Sequence, residues 1–111
     1  MMKPDDPREL AIDILERSIC SVKVGACVAD ATGILSWGWN SVGSGNGLHA
    51  ERHAVSRANK ARLKGATIYV AAFRTGRKVI TAKPCTACQL MIDQWGLKVV
   101  YRNMKSEWIM L

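Results

Sequence analysis

The chain has 111 residues, 49% hydrophobic and 23% charged, with sixteen lysines and arginines against nine acids for a formal net charge of +7. That length and composition fit one folded domain over residues 1–111, and exclude a second domain and a disordered or fibrous chain. No apolar run approaches the roughly 18 residues that span a bilayer, and Met1-Met2-Lys3-Pro4-Asp5-Asp6 puts proline and acid where a secretion signal is apolar, so the expected location is cytoplasmic, with no membrane partner.

Asp6-Pro7-Arg8-Glu9 supplies an N-cap, a proline at the first helical position and an acid in the first turn. Leu10, Ala11, Ile14 and Leu15 follow at helical spacing, which predicts a first helix over about 7–19. Val22, Val24, Ala26 and Val28 then alternate with Lys23, Gly25, Cys27 and Ala29, and Asp30-Ala31-Thr32-Gly33 turns the chain into Ile34-Leu35-Ser36-Trp37-Gly38-Trp39. That is a β-hairpin. Gly43, Gly45 and Gly47 make 41–47 a loop able to approach a ligand closely.

A second helix is expected over about 49–63, with Ala50, Ala54, Val55, Ala58 and Ala61 inward, Arg52, Arg57, Lys60 and Arg62 outward, and Gly65 as its stop. The continuous apolar run 66–73 reads as a strand covered on both faces. Thr75-Gly76-Arg77 turns, 79–83 leads to Pro84, and Cys88, Met91, Ile92 and Trp95 mark a third helix ending at Gly96. Strands are expected at 97–101 and 107–111. The alternation gives a three-layer α/β/α sandwich around a mixed sheet. Nine residues follow Arg102, whereas a parallel crossover needs about a dozen or more, so the last strand is expected to be antiparallel.

The chemistry sits at two predicted helix starts, His49-Ala50-Glu51 and Pro84-Cys85-Thr86-Ala87-Cys88. One imidazole and two thiolates give a tetrahedral zinc ion (Zn2+) three protein ligands and leave the fourth position open, as in a catalytic site. Glu51, two residues from His49, is placed beside the metal as a general acid/base without ligating it. Cys85 and Cys88 lie where the helix dipole favours thiolate. Cys-x-x-Cys alone would also suit a redox pair; the upstream His-Ala-Glu favours zinc. His53 as a fourth ligand would close the site, and reads as a packing residue. Cys20 and Cys27 lack a usual ligand spacing and read as buried filler. Trp39 is a candidate base contact or a packing residue, and Trp37 and Trp95 are assigned to the core.

His-x-Glu followed by Pro-Cys-x-x-Cys is the zinc deaminase signature. With Val24-Gly25-Ala26, Gly38-Trp39-Asn40 and Ile68-Tyr69-Val70 in matching order, the sequence resembles the cytidine deaminase-like superfamily over nearly its whole length. The resemblance implies hydrolytic deamination of a nucleobase, with zinc as the only cofactor and Glu51 carrying the protons. It also implies that Asn40 touches the sugar or base and that the Ala50 amide holds the pyrimidine carbonyl. Histidine as first ligand resembles deoxycytidylate, tRNA-adenosine and polynucleotide deaminases, while an antiparallel last strand resembles the cytidine branch. The segment 74–83 is longer than in the tRNA-adenosine enzymes and a C-terminal helix is lacking, as in a minimal, phage-like or bacterial member.

Three functions are open. The first is deamination of cytosine in a pyrimidine nucleoside or nucleotide, of cytidine, deoxycytidine or dCMP type, by a homo-oligomer. The positive charge favours a phosphate-bearing substrate. The second is deamination of cytosine or adenine in single-stranded DNA or RNA, with Arg52, Arg74, Arg77, Lys78 and Lys83 contacting phosphates. The third is a zinc-stabilised binding domain, against which Glu51 weighs, because a purely structural site needs no carboxylate there.

Overall fold

A computed structural model describes residues 5–42, 49–76 and 78–111. Helix α1 (Pro7–Ile14) starts as its sequence dictates, with Asp6 accepting from the Arg8 amide at 2.9 Å and Pro7 in the first turn. It is shorter than expected. A 3₁₀ turn, Leu15–Arg17, follows, and Ser18 is extended with its hydroxyl accepting from the Cys20 amide. That local bond offers the backbone an alternative to further helix and turns it into the sheet.

Strand β1 (Val22–Asp30) pairs antiparallel with β2 (Gly33–Trp39) as the predicted hairpin, and along its other edge with β3 (Thr67–Arg74). The far edge of β3 is shared. Its first half pairs parallel with β5 (Lys98–Arg102), and its second half antiparallel with β4 (Lys78–Ile80). The sheet order is β2-β1-β3-β5-β6, with β4 beside β3, and β6 (Trp108–Met110) is antiparallel to β5 as the length argument expects. Strand β4 lies where only a connection to Pro84 is expected, since three residues are too few to show a period of two.

Each face of the sheet has its own core. Cys27 and Ala71 meet Leu10, Ala11 and Leu15 from α1, whereas Ala26, Val28, Ile68, Val70 and Val99 meet α2 (Ala50–Arg57) and α3 (Thr86–Gln94) on the opposite face. This two-sided cover explains the continuous apolar run of β3. Helix α2 ends at Arg57, six residues before the expected 63, because Ala58 turns extended and the Asn59 carboxamide caps a separate 3₁₀ turn, Lys60–Arg62. Ala61 is consequently exposed, against expectation, while Ala58 and Leu63 are buried.

Two glycines set how closely the helices approach. A Cβ on Gly25 would lie 2.1 Å from the Ala11 carbonyl oxygen, and one on Gly38 would lie 2.5 Å from the Ala54 amide nitrogen. Both contacts are with backbone, which has little room to yield. Gly38→Ala is therefore expected to push α2 off the sheet at a cost of about 1–3 kcal/mol or more, lowering Tm by roughly 5 °C or more in a thermal melt. An unchanged Tm would contradict this packing.

Candidate functional site

His49 is the N-cap of α2 and Cys85 the N-cap of α3, both with extended backbone (φ −76°, ψ 147° and φ −69°, ψ 168°). Neither side chain caps its own helix, so both are available to a shared point between the two helix starts. Cys88 reaches the same point from the first turn of α3. The His49 Nδ1 lies 3.2 Å from the Cys88 Sγ and 3.8 Å from the Cys85 Sγ, and the three ligand atoms all fall within 4.8 Å of one another. Tetrahedral zinc, with Zn–S of about 2.3 Å and Zn–N of about 2.0 Å, separates nitrogen from sulfur by about 3.5 Å and sulfur from sulfur by about 3.8 Å. The donor set and its spacing fit that ion. Among the described residues, no other group of three such side chains is as close.

Cys88 is buried, and burial together with the neighbouring Glu51 charge pushes its thiol up to about 12. Burial thus works against the thiolate form that a helix start favours. A divalent cation held by His49, Cys85 and Cys88 would supply the charge that reverses the balance.

Glu51 is the second residue of α2, 5% exposed, and lies against the cluster without belonging to it. Burial raises its carboxyl above the ordinary carboxylate range, opposed by its own backbone amide, the His49 charge and a hydrogen bond from Cys88. A buried carboxyl of raised affinity for protons is suited to take a proton and return it. Ala50, fully buried at the first helical position, has an amide with no acceptor within its own helix.

Asn40 follows β2 directly and extends the ladder to β1. Its Oδ1 accepts from the Val24 amide at 2.8 Å and its Nδ2 donates to the Val22 carbonyl at 2.7 Å, which leaves each group one further hydrogen-bonding valence. Trp39 packs: its ring meets the His53 ring edge-on at 4.6 Å, with the Arg17 and Arg57 guanidinium carbons 5.3 and 5.9 Å from its centroid. His53 is thereby spent on Trp39 and stands outside the metal cluster. Cys27 is fully buried, its thiol pushed up to about 12 by burial, while Cys20 is half-buried with its Sγ toward the Asn40 carbonyl. Trp37 and Trp95 are half-buried and pack against the cores.

Arg52, Arg74, Lys78 and Lys83 are exposed; Arg77 and most of the 41–47 loop, residues 43–47, lie outside the described residues. Arg74 and Lys78 face each other across β3 and β4, and Arg74 lines a cleft of about 580 Å³ with Lys23, Phe73 and Thr75. Lys83 lines a different cleft, of about 340 Å³, with Pro84, Leu90 and Leu111. Sequence reasoning missed Ser36, whose buried hydroxyl donates to the Ala54 carbonyl at 2.7 Å and fastens α2 to β2. A lone serine at an inward position of an apolar strand was its signal.

A model of the cytidine and deoxycytidylate deaminase zinc-binding region matches residues 5–104. No curated protein matches the chain. Among solved structures, the chain is similar to dCMP deaminase from the cyanophage S-TIM5, with 32% identity, 87% of this chain and 79% of that one covered, and a TM-score of 0.69. The same phage enzyme in complex with dCMP and dUMP aligns at 29% identity, covering 86% and 76%, with a TM-score of 0.65. Cytidine deaminase from Burkholderia pseudomallei aligns at 26% identity, covering 95% and 88%, with a TM-score of 0.77. No helix among the described residues is long and apolar enough to cross a membrane.

Proposed function

The chain belongs to the cytidine and deoxycytidylate deaminase family, zinc hydrolases acting on cytosine, and from that premise we propose that its substrate is a cytosine nucleotide of the dCMP type. The observation that carries this choice is the 32% identity, over 87% of the chain, to a cyanophage dCMP deaminase. The net charge of +7 favours a phosphate-bearing molecule in the same direction.

In this reading His49 Nδ1, Cys85 Sγ and Cys88 Sγ hold the zinc. When bound, the ion acts as a Lewis acid that makes a water nucleophilic near neutral pH. Glu51 accepts a proton from the attacking water and delivers it to the ring nitrogen next to the amine-bearing carbon. It then passes a second proton to the departing amine, so that cytosine and water become uracil and ammonia. Its burial keeps bulk water from competing for those protons. The Ala50 amide, free of a helical acceptor at the start of α2, receives the pyrimidine carbonyl in this reading, and Asn40, with one valence left on each amide group, meets the sugar or base.

Ammonia release should be compared across cytidine, deoxycytidine, CMP, dCMP and a cytosine-containing oligonucleotide. The expected result is dCMP as the best substrate, with an apparent affinity that changes shallowly with salt. A strand bound through some 6–10 phosphates would instead lose about 10³–10⁵ in affinity between 50 and 200 mM salt. Efficient deamination of the oligonucleotide with that steep slope, and none of any monomer, would replace this reading by polynucleotide deamination.

A further inference from the structure

Strand β2 is an outer strand of the sheet, and Asn40 at its end is tied to β1. Its amide donates to the Val24 carbonyl at 3.2 Å, its Oδ1 accepts from the Val24 amide and its Nδ2 donates to the Val22 carbonyl. Alternation along an antiparallel pair then turns the N–H and C=O of the preceding residue, Trp39, outward to the open edge. Groups left bare on such an edge exchange with water and let the strand end fray. Here they are covered.

The cover comes from α2. His53 stands one turn after His49, its own amide bonded to the His49 carbonyl at 3.0 Å. Its Nδ1 accepts from the Trp39 amide at 3.2 Å and lies the same distance from the Trp39 carbonyl oxygen, with the two rings edge to face at 4.6 Å. Gly38 permits this approach, since a Cβ there would lie 2.8 Å from the His53 Cβ. An apolar side chain of similar size would meet the needs of packing; what the imidazole adds is a polar atom set against backbone polar groups. Among the described residues, the hydrogen bonds of Asn40 run to β1 and from Cys20, and none runs to α2. The link to α2 next to it in the chain is therefore Trp39 to His53.

We propose that His53 is a positioning residue for the deamination: by holding Trp39 it fixes Asn40 relative to the helix that carries the metal ligand His49 and the proton carrier Glu51. The inference rests on the reading that Asn40 meets the sugar or base, and it is independent of which cytosine compound is the substrate. A contact made equally before and during the reaction governs KM and leaves kcat alone, so that is where loss of His53 should show.

Steady-state kinetics of the zinc-loaded chain on whichever cytosine substrate it deaminates best tests this, so an error over dCMP changes the substrate and not the comparison. His53→Leu should raise KM about tenfold, with kcat within about threefold of wild type and zinc retained. His53→Asn, whose carboxamide restores an acceptor beside the Trp39 amide, should bring KM back to within about threefold. Ser36→Ala, which breaks the buried bond from β2 to the Ala54 carbonyl, should lower Tm and leave KM unchanged, separating position from stability. In an Asn40→Ala background, His53→Leu should cost no more than about twofold further in kcat/KM, because the group it positions is gone. Amide hydrogen exchange needs no substrate. The Trp39 amide should be protected in the wild type, a result that stands even if His53→Leu fails to fold, and should exchange about tenfold or more faster in a folded His53→Leu chain. A folded His53→Leu protein with wild-type KM, a His53→Asn protein no better than His53→Leu, or an equal rise in KM for Ser36→Ala would each overturn the proposal. So would an undiminished His53→Leu penalty in the Asn40→Ala background, or a wild-type Trp39 amide as free to exchange as in the unfolded chain.

Discussion

Glu51→Gln is expected to lower kcat by roughly 10³-fold while one zinc per chain is retained, because the substitution keeps size and hydrogen bonding and removes only the proton carrier. Its effect on stability should run opposite to that of losing a ligand. Burial raises the Glu51 carboxyl, so the folded chain binds that proton more tightly than the unfolded one. The resulting stabilisation is fully present below the ordinary carboxylate range and is lost as pH rises through the raised value. Glutamine has no proton to lose. Zinc-free Glu51→Gln should therefore melt no lower than zinc-free wild type at neutral pH, and thermal denaturation of both without metal checks it. Substantial turnover by a zinc-loaded Glu51→Gln protein would mean that another group carries the protons.

Cys88→Ser and Cys85→Ser should lose zinc and stability together. Ligand binding to the folded state contributes about 4 kcal/mol when free zinc exceeds its Kd a thousandfold, which in a domain of this size corresponds to roughly 10–20 °C in Tm. A chelator should reproduce the drop in wild type and leave either serine variant nearly unchanged. Because burial pushes the unmetallated Cys88 thiol up to about 12, zinc must displace a proton to bind, and its affinity should fall as pH falls. Metal analysis alongside the melts reads both effects, and full zinc content in either variant would remove these cysteines from the site.

Much of this was legible because the chemistry is written in short local spacings. Cys85 and Cys88 are three residues apart, one turn of α3, and His49 with Glu51 brackets the start of α2, so each half of the expected ligand set is a local pattern, whereas the meeting of the two halves depends on the fold. The direction of the last strand followed from chain length. Features that depend on tertiary contact were hidden. The early end of α2 arises where Ala58 leaves the helix to pack in the core and Asn59 caps the next turn, and a helical alanine pattern running through both positions conceals it. Asn40 could be matched to a binding role, yet its two hydrogen bonds to β1 appear only in the folded hairpin. Arg102 reads as an ordinary basic residue at a strand end, yet it is 7% exposed and meets the Phe73 ring, 29 positions away in sequence.

The most direct test of the central claim is to incubate the zinc-loaded protein with dCMP in ¹⁸O-labelled water and analyse the products by mass spectrometry. Hydrolytic deamination with Glu51 as proton carrier predicts one labelled oxygen on the uracil ring and one ammonia for each dCMP consumed, with both signals lost in Glu51→Gln. A folded, fully zinc-loaded chain that forms no labelled uracil product from dCMP or from any other cytosine nucleoside or nucleotide would contradict it.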